Sequence, residues 1–202
     1  RTVTVSEQIH VVNIDDRAIA QRGQFPFPRN QYADIIRQLE DRNAGVIVFN
    51  IFMPDVDRFG QDSALARQFK ESLVVLPHMA TNDDTVPKYP PYRPGVSVIG
   101  TGLPGIEYQN IQPNVRSLNE TASGIGIVNT LPEIDGVVRR VPQVVTVGEQ
   151  VYPSISLETL RVLAGDPSFQ VRVNDGSVEA VRIPQFGKIP TDSYGRVWVD
   201  WS

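Results

Sequence analysis

The chain has 202 residues, 41% of them hydrophobic, and 19 Lys+Arg stand against 23 Asp+Glu for a formal charge of -4. This is enough apolar material for one sizeable core, so a single domain over residues 1–202 is expected; the scattered acidic balance offers no basic stripe for nucleic acid. Zero cysteines exclude a disulfide framework, a thiolate zinc site and a cysteine nucleophile. No window approaches the roughly 18 consecutive apolar residues of a spanning helix, and none has the pattern of a signal peptide.

In chain order, residues 9–14 are apolar and β-branched enough to predict a first strand. Asp15 or Asp16 then caps a short helix reaching Gln21, and Gly23 is placed to end it in a left-handed conformation. The stretch "FPFPR" follows. Each proline forces the preceding phenylalanine into extended geometry, so Phe25 and Phe27 project to opposite sides, one into the core and one over its rim. Tyr32, Ile35, Ile36 and Leu39 fall at helical spacing, with Asn30 as a candidate N-cap.

Residues 46–51, "VIVFNI", predict a strand buried on both faces and lying beside the first. Asp62 is expected to cap a helix carrying Leu65 and Phe69, with a third strand at 73–76. These elements amount to two successive right-handed βαβ crossovers, which would bring the C-terminal ends of the first two strands to one sheet edge. Residues 77–113, dense in proline and glycine, predict a long surface excursion with one short strand near 96–99 and the greatest mobility in the chain. Its "GTGLPG" reads as a glycine turn, because no periodic helix follows to make a phosphate cradle.

A strand at 125–130 precedes two turn signals, Asp135-Gly136 and Gly148, expected to form hairpins. Ser154 caps a helix to Ala164 with Ile155, Leu157, Leu160 and Leu163 on its apolar face. The tail alternates polar and apolar residues around Asp-Gly and Tyr-Gly turns, which predicts antiparallel strands. The expected fold class is α/β with a mixed sheet, parallel βαβ units in the N-terminal half and antiparallel strands and hairpins in the C-terminal half.

If the first two strands are parallel neighbours, Asp15, Asp16 and Asn50 gather at their C-terminal ends, where open α/β sheets bind ligands. Arg29, Asp55 and Asp57 lie close in topology. Such a cluster is open to two readings. It can be a brace of caps and ion pairs, with Arg29 paired to Asp15 or Asp16, or it can grip a ligand. Several carboxylates could also hold magnesium for phosphoryl transfer, which would make the chain a soluble metal-dependent hydrolase or phosphotransferase using Asp15, Asp16 and Asp55.

His10, inside the first predicted strand, and His78 stand alone and match no metal spacing. Arg139 and Arg140, adjacent on one strand, must face opposite ways, one solvated and the other paired with an acid. Asn119-Glu-Thr121 matches a glycosylation acceptor only at the level of chance.

"VVNIDDRAIAQRGQFPFPRNQYADIIRQLEDRNAGVIVFNIFMPDVD", "GIGIVNTLPEIDGVVRRVPQVV" and "VYPSISLETLRVLAG" together resemble the type-two CHASE domain, in order, from about Val11 to Trp201. The usual pattern of that family is Ile-Asp-Asp, then Trp-Pro-Trp-Pro-Arg, then Phe-Asp-Ile. Ile14, Asp15, Asp16 and Arg29 match it, Phe25 and Phe27 replace the tryptophans, and Asn50 replaces an aspartate. The last exchange removes a charged oxygen from any metal site at that edge.

The resemblance implies a noncatalytic sensory domain on the extracytoplasmic (periplasmic) side of the cytoplasmic membrane. It implies an anchor before Arg1 and further spans leading to a cytoplasmic adenylate or guanylate cyclase, a histidine kinase or, less often, a Ser/Thr kinase. The chain is accordingly expected to be a piece of a longer receptor. The expected partners are a small-molecule or ionic signal, the receptor's own transmembrane helices and output domain, and a second copy in a homodimer. No catalytic residue, metal or cofactor is expected. Asp15, Asp16, Arg29, Asn50 and Asp55 are the candidate ligand-binding residues.

Overall fold

The computed structural model describes residues 8–86, 95–166 and 168–201. Asp15 accepts a hydrogen bond from the Ala18 amide at 2.8 Å and starts helix α1 (Asp16–Arg22), which Gly23 ends at φ 100°. The cap is as the sequence implies. Residues 9–14, however, form no strand; Ile9 and Val11 are 73% and 80% exposed, and His10 is exposed with them. β-branched residues favour extended backbone, but a strand exists only where a partner edge takes its amides, and none does here among the described residues.

Helix α2 (Arg29–Glu40) begins directly after Pro28, whose backbone, not an Asn30 side chain, sets the entry; Asn30 lies inside the first turn. The Pro-aromatic segment does what its stereochemistry requires, since Phe27 is buried while Phe25 stays 44% exposed. Strand β1 (Ile47–Val48) is shorter than expected, although the Phe49 amide continues its ladder to the Val75 carbonyl at 2.9 Å. Helix α3 (Asp62–Glu71) buries Leu65, Ala66 and Phe69; its N-cap is Gln61, so Asp62 is the first helical residue.

Strand β2 (Val74–Thr81) extends well past the expected end, through Pro77 and the buried His78. Its parallel partners are β1 on one side and, further along, β6 (Gly124–Ile127). One βαβ crossover, from β1 through α3 to β2, therefore replaces the two expected. Proline lost its amide donor here but not its acceptor, because the Pro77 carbonyl is taken by the Asn114 side chain at 2.7 Å.

The expected excursion is also more structured than its composition implies. It holds β3 (Val96–Gly100), β4 (Ile106–Tyr108) and β5 (Asn110–Gln112), the last antiparallel to β2. Most of the "PKYPPYRPG" stretch lies outside the described residues. Helix α4 (Arg116–Asn119) is a single turn before β6.

The C-terminal half contains β7 (Arg140–Pro142), β8 (Val144–Val147), β9 (Gln150–Pro153), α5 (Ile155–Ala164), β10 (Phe169–Asn174), β11 (Ser177–Ile183), β12 (Gly187–Ile189) and β13 (Arg196–Trp198). Gly148 turns the β8–β9 hairpin and Asp175-Gly176 the β10–β11 hairpin. The Asp135-Gly136 turn closes on itself, Glu133 to Val137, and β7 pairs instead with β13. Two parallel pairings, β3 with β10 and β4 with β8, join the middle of the chain to this half. The class is mixed α/β, with parallel strands gathered in the N-terminal half and antiparallel hairpins in the C-terminal half.

Two main cores result. The first is aromatic: Phe27, Tyr32, Phe49 and Phe69 stack in sequence at ring separations of 5.8, 5.4 and 5.9 Å, mostly edge to face. The second is built on Val144, Val171, Val173, Val181 and Phe169 between α5 and the β10–β11 hairpin. On α5 the expected Leu157 is buried but Leu163 is 55% exposed, and Glu158 takes an inward position. Gly126 lets the start of α5 lie directly on β6, because a Cβ there would stand 2.3 Å from the Ile155 Cα.

Candidate functional site

The loop that follows β1 is held open at the edge of the first sheet by polar groups from distant parts of the chain. Arg29 is the centre of that arrangement. Pro28 fixes its starting direction, and its guanidinium donates from Nε to Asp62 Oδ1 at 3.2 Å and from Nη2 to the Asp55 carbonyl at 3.1 Å. The two side chains of the ion pair are 8% and 16% exposed. Asp62 Oδ2 accepts from the Asp57 amide at 2.9 Å, and Asp57 Oδ2 accepts from the Gln61 amide at 3.0 Å, so one carboxylate relay stitches the loop to the head of α3.

The expected pairing of Arg29 with Asp15 or Asp16 is thus replaced by pairing with Asp62. The physical reason is local. The Asp15 carboxylate caps α1, while Asp62 occupies the first turn of a helix whose N-terminus already favours negative charge and lies against α2. Asp15, Asp16, Asn50 and Asp55 are all exposed. Asp55 meets Arg29 through its backbone oxygen, and the structure gives Asn50 no side-chain hydrogen bond to this group. Among the described residues no three carboxylate or histidine side chains are grouped to hold a metal ion.

Behind the loop runs a buried polar chain that sequence reasoning missed. Asn114 accepts from the Met53 amide and donates to the Pro77 carbonyl, both at 2.7 Å; Asn119 donates to the Asn114 carbonyl at 3.1 Å and meets His78 Nε2 at 3.1 Å. Because the Asn119 amide nitrogen is already donating, its oxygen accepts, which places the His78 proton on Nε2. Burial pushes the His78 imidazole down to about 4, only partly offset by the Asn119 bond, so it is neutral near pH 7. Asn119 was visible only as part of a chance glycosylation triplet, and nothing in its neighbours announces a buried role.

Two further atoms bear on binding. Tyr32 accepts the Phe27 amide at 3.1 Å beneath Arg29, and burial raises its phenol above the ordinary value, against the lowering pull of that bond and of the guanidinium. Gln31 Oε1, on the first turn of α2 with Arg29, is the buried side-chain polar atom left without a partner among the described residues. A buried unpaired acceptor costs about 1–3 kcal/mol, which a ligand donor would relieve. A cavity of about 290 Å³ lies elsewhere, between α3 and α4, lined by Arg67, Lys70 and Glu120 among others; none of the expected site residues reaches it.

Comparison with known proteins supplies one match. The family model described as the CHASE2 domain matches residues 1–202, the whole chain. No curated protein and no solved structure matches it.

Proposed function

The chain belongs to the CHASE2 domain family, a family of extracytoplasmic sensory domains, and from that premise we propose that it is the signal-receiving part of a bacterial membrane receptor. The receptor's output is an adenylate or guanylate cyclase or a histidine kinase, and the chain reaches it through its own transmembrane helices, working as a homodimer. The single observation that carries this reading is the extent of the family match, which leaves no part of the chain for a separate catalytic unit. Residues 1–202 fold as one cooperative domain in this proposal, with α5 packed on both β2 and β6.

The signal is a small molecule or ion, and it binds at the edge formed by Asp15, Asp16, Arg29, Asn50 and Asp55. Three features support this placement. Arg29 uses Nε and Nη2 internally, which leaves Nη1 as a further donor at this edge. Gln31 Oε1 supplies an unsatisfied acceptor on the same helix turn. The guanidinium together with the exposed acids assigned to this edge suits a ligand carrying both an anionic and a cationic group.

A thermal-shift screen of amino acids, other zwitterionic metabolites and inorganic ions on the 202-residue chain tests the site. The expected result is a ligand whose stabilisation is lost in Asn50→Ala and Asp55→Ala, both exposed positions that leave the fold intact. Stabilisation unchanged in both variants would place the signal elsewhere. The receptor layout is tested separately by the full reading frame, which is expected to encode apolar spans on both sides of this stretch; their absence would overturn it.

A further inference from the structure

We propose that the face made by the loop before β7 and the strand β13 docks on the surface of a zwitterionic lipid bilayer. The proposal rests on the receptor reading above, which puts a membrane next to the domain, but the face itself is read from the structure. Both tryptophans of the chain are here, Trp198 at 70% and Trp201 at 72% exposed. Ile134, at the tip of the Glu133–Val137 turn, is fully exposed; Val137 in the same turn and Tyr194 in the turn before β13 are 44% and 56% exposed.

Backbone pairing makes these side chains one surface. Trp198 pairs with Arg140 across the β7–β13 ladder, the Val199 amide donates to the Arg139 carbonyl at 2.8 Å, and Trp201 Nε1 donates to the Val138 carbonyl at 2.8 Å. Trp201 therefore keeps a satisfied N–H at one end and a largely exposed ring at the other, and Trp198 exposes its ring beside it beneath Arg140. That amphipathic disposition is the one favoured at membrane–water interfaces. Ile134 stands fully exposed at its turn, a projecting aliphatic group that a deformable lipid layer can accept.

The charges identify the lipid. Arg139 pairs with Asp135 at 2.8 Å, Arg140 with Glu133 at 2.7 Å and with Asp192 at 3.3 Å, and Arg196 with Asp192 at 2.8 Å; Arg140 also lies 5.2 Å over the Trp198 ring. Three guanidinium groups stand among four carboxylates, the exposed Asp200 between the two tryptophans included, so the patch has no basic excess. Such a patch complements headgroups that carry a phosphate and an ammonium side by side. It has no net attraction for an anionic surface, whose binding would require unpaired basic residues.

The tryptophans are the only ones in the chain, so their fluorescence reports this face alone. Mixing the 202-residue chain with vesicles of phosphatidylcholine and phosphatidylethanolamine is expected to shift the emission to the blue and to protect both rings from iodide, at low salt and at about 1 M salt alike, where the Debye length is near 3 Å. Ile134→Asp, a change at a fully exposed tip, is expected to weaken vesicle binding at least roughly tenfold, since it removes a buried aliphatic group from the bilayer. No shift at any lipid concentration would overturn the proposal, as would a shift that Ile134→Asp leaves unchanged. Binding confined to anionic vesicles and abolished by salt would overturn the zwitterionic assignment, and a blue shift that grows with protein concentration without lipid would assign the face to a second copy. Loss of docking with ligand stabilisation intact removes this face and leaves the sensory function standing. Docking in a chain whose reading frame lacks spans would do the opposite.

Discussion

Two regions of the molecule place an arginine against a carboxylate, and they do so for different purposes. At the seam between α5 and β6, Arg161 and Glu158 form a two-pronged pair at 2.7 and 2.8 Å, with Glu158 fully buried and Arg161 11% exposed. The remaining valences are consumed nearby, by the Ile125 amide on Glu158 and by the Asp166 and Ser123 carbonyls on Arg161. At the sheet edge after β1, Arg29 and Asp62 make a single contact at 3.2 Å from residues 33 apart in sequence, with side chains 8% and 16% exposed. The difference is one of bonding more than of exposure: a two-pronged pair with its other groups taken fastens two elements together, whereas a one-pronged pair holds its guanidinium less completely.

The largest expected effect comes from unsealing the first region. Glu158→Ala strands the Arg161 guanidinium against backbone carbonyls and opens a void beside Gly124, which a Cβ could not fill without meeting the Glu158 side chain. Removing one partner of a buried pair costs about 3–5 kcal/mol, so urea denaturation should show a loss in that range. A loss below about 1 kcal/mol would show that the seam relaxes or hydrates.

The second effect is a pH dependence set behind the open edge. The unfolded His78 imidazole binds a proton near its ordinary 6.5, while the folded one refuses it until about 4. Stability contributed by this group is therefore full above about pH 6.5 and falls as pH drops towards 4, by up to about 3 kcal/mol. Chemical denaturation at stepped pH measures the slope, and His78→Gln should flatten it. An unchanged slope in that variant would assign the pH dependence to carboxylates.

Arg29→Ala should cost less than the seam substitution, about 1–3 kcal/mol, because Asp62 left behind keeps water and the Asp57 amide. It should also loosen the loop that Arg29 tethers at the Asp55 carbonyl, read as faster amide exchange over residues 54–61 without change in β10 or β11. Uniform acceleration across the chain would make the two regions equivalent, against the comparison. The smallest effect is reserved for Arg116 and Glu120, whose side chains are 76% and 56% exposed despite a 2.6 Å contact. Arg116→Ala should shift stability by no more than about 0.5 kcal/mol, a scale against which the other pairs can be judged.

Much of the local structure was legible because it is decided within a few residues. Asp15 and Ser154 cap their helices, Phe27 and Phe25 divide inside from outside, and Gly148 and Asp175-Gly176 turn their hairpins, each through stereochemistry or a hydrogen bond reaching three or four positions at most. The apolar periodicities of α2 and α3 likewise placed Tyr32, Ile36, Leu65 and Phe69 in the core before any partner was known. Family membership was legible for a related reason, since three local motifs in order carry it.

What only the tertiary structure decided is where long-range partners stand. Residues 9–14 have strand propensity, yet propensity supplies no edge to pair with; 9–13 lie exposed and only Ile14 packs against the first core. Pro77 looked like an end to β2, but Asn114, 37 residues away, takes its carbonyl and the strand continues. Arg29 needed an acid, and Asp15, Asp16, Asp55, Asp57 and Asp62 were all available by composition; the approach of α3 to α2 chose Asp62. Caps, turns and periodicity are properties of neighbours along the chain, whereas a buried charge or carbonyl is satisfied by whatever packing brings within about 3 Å, and that distance is written in no stretch of sequence.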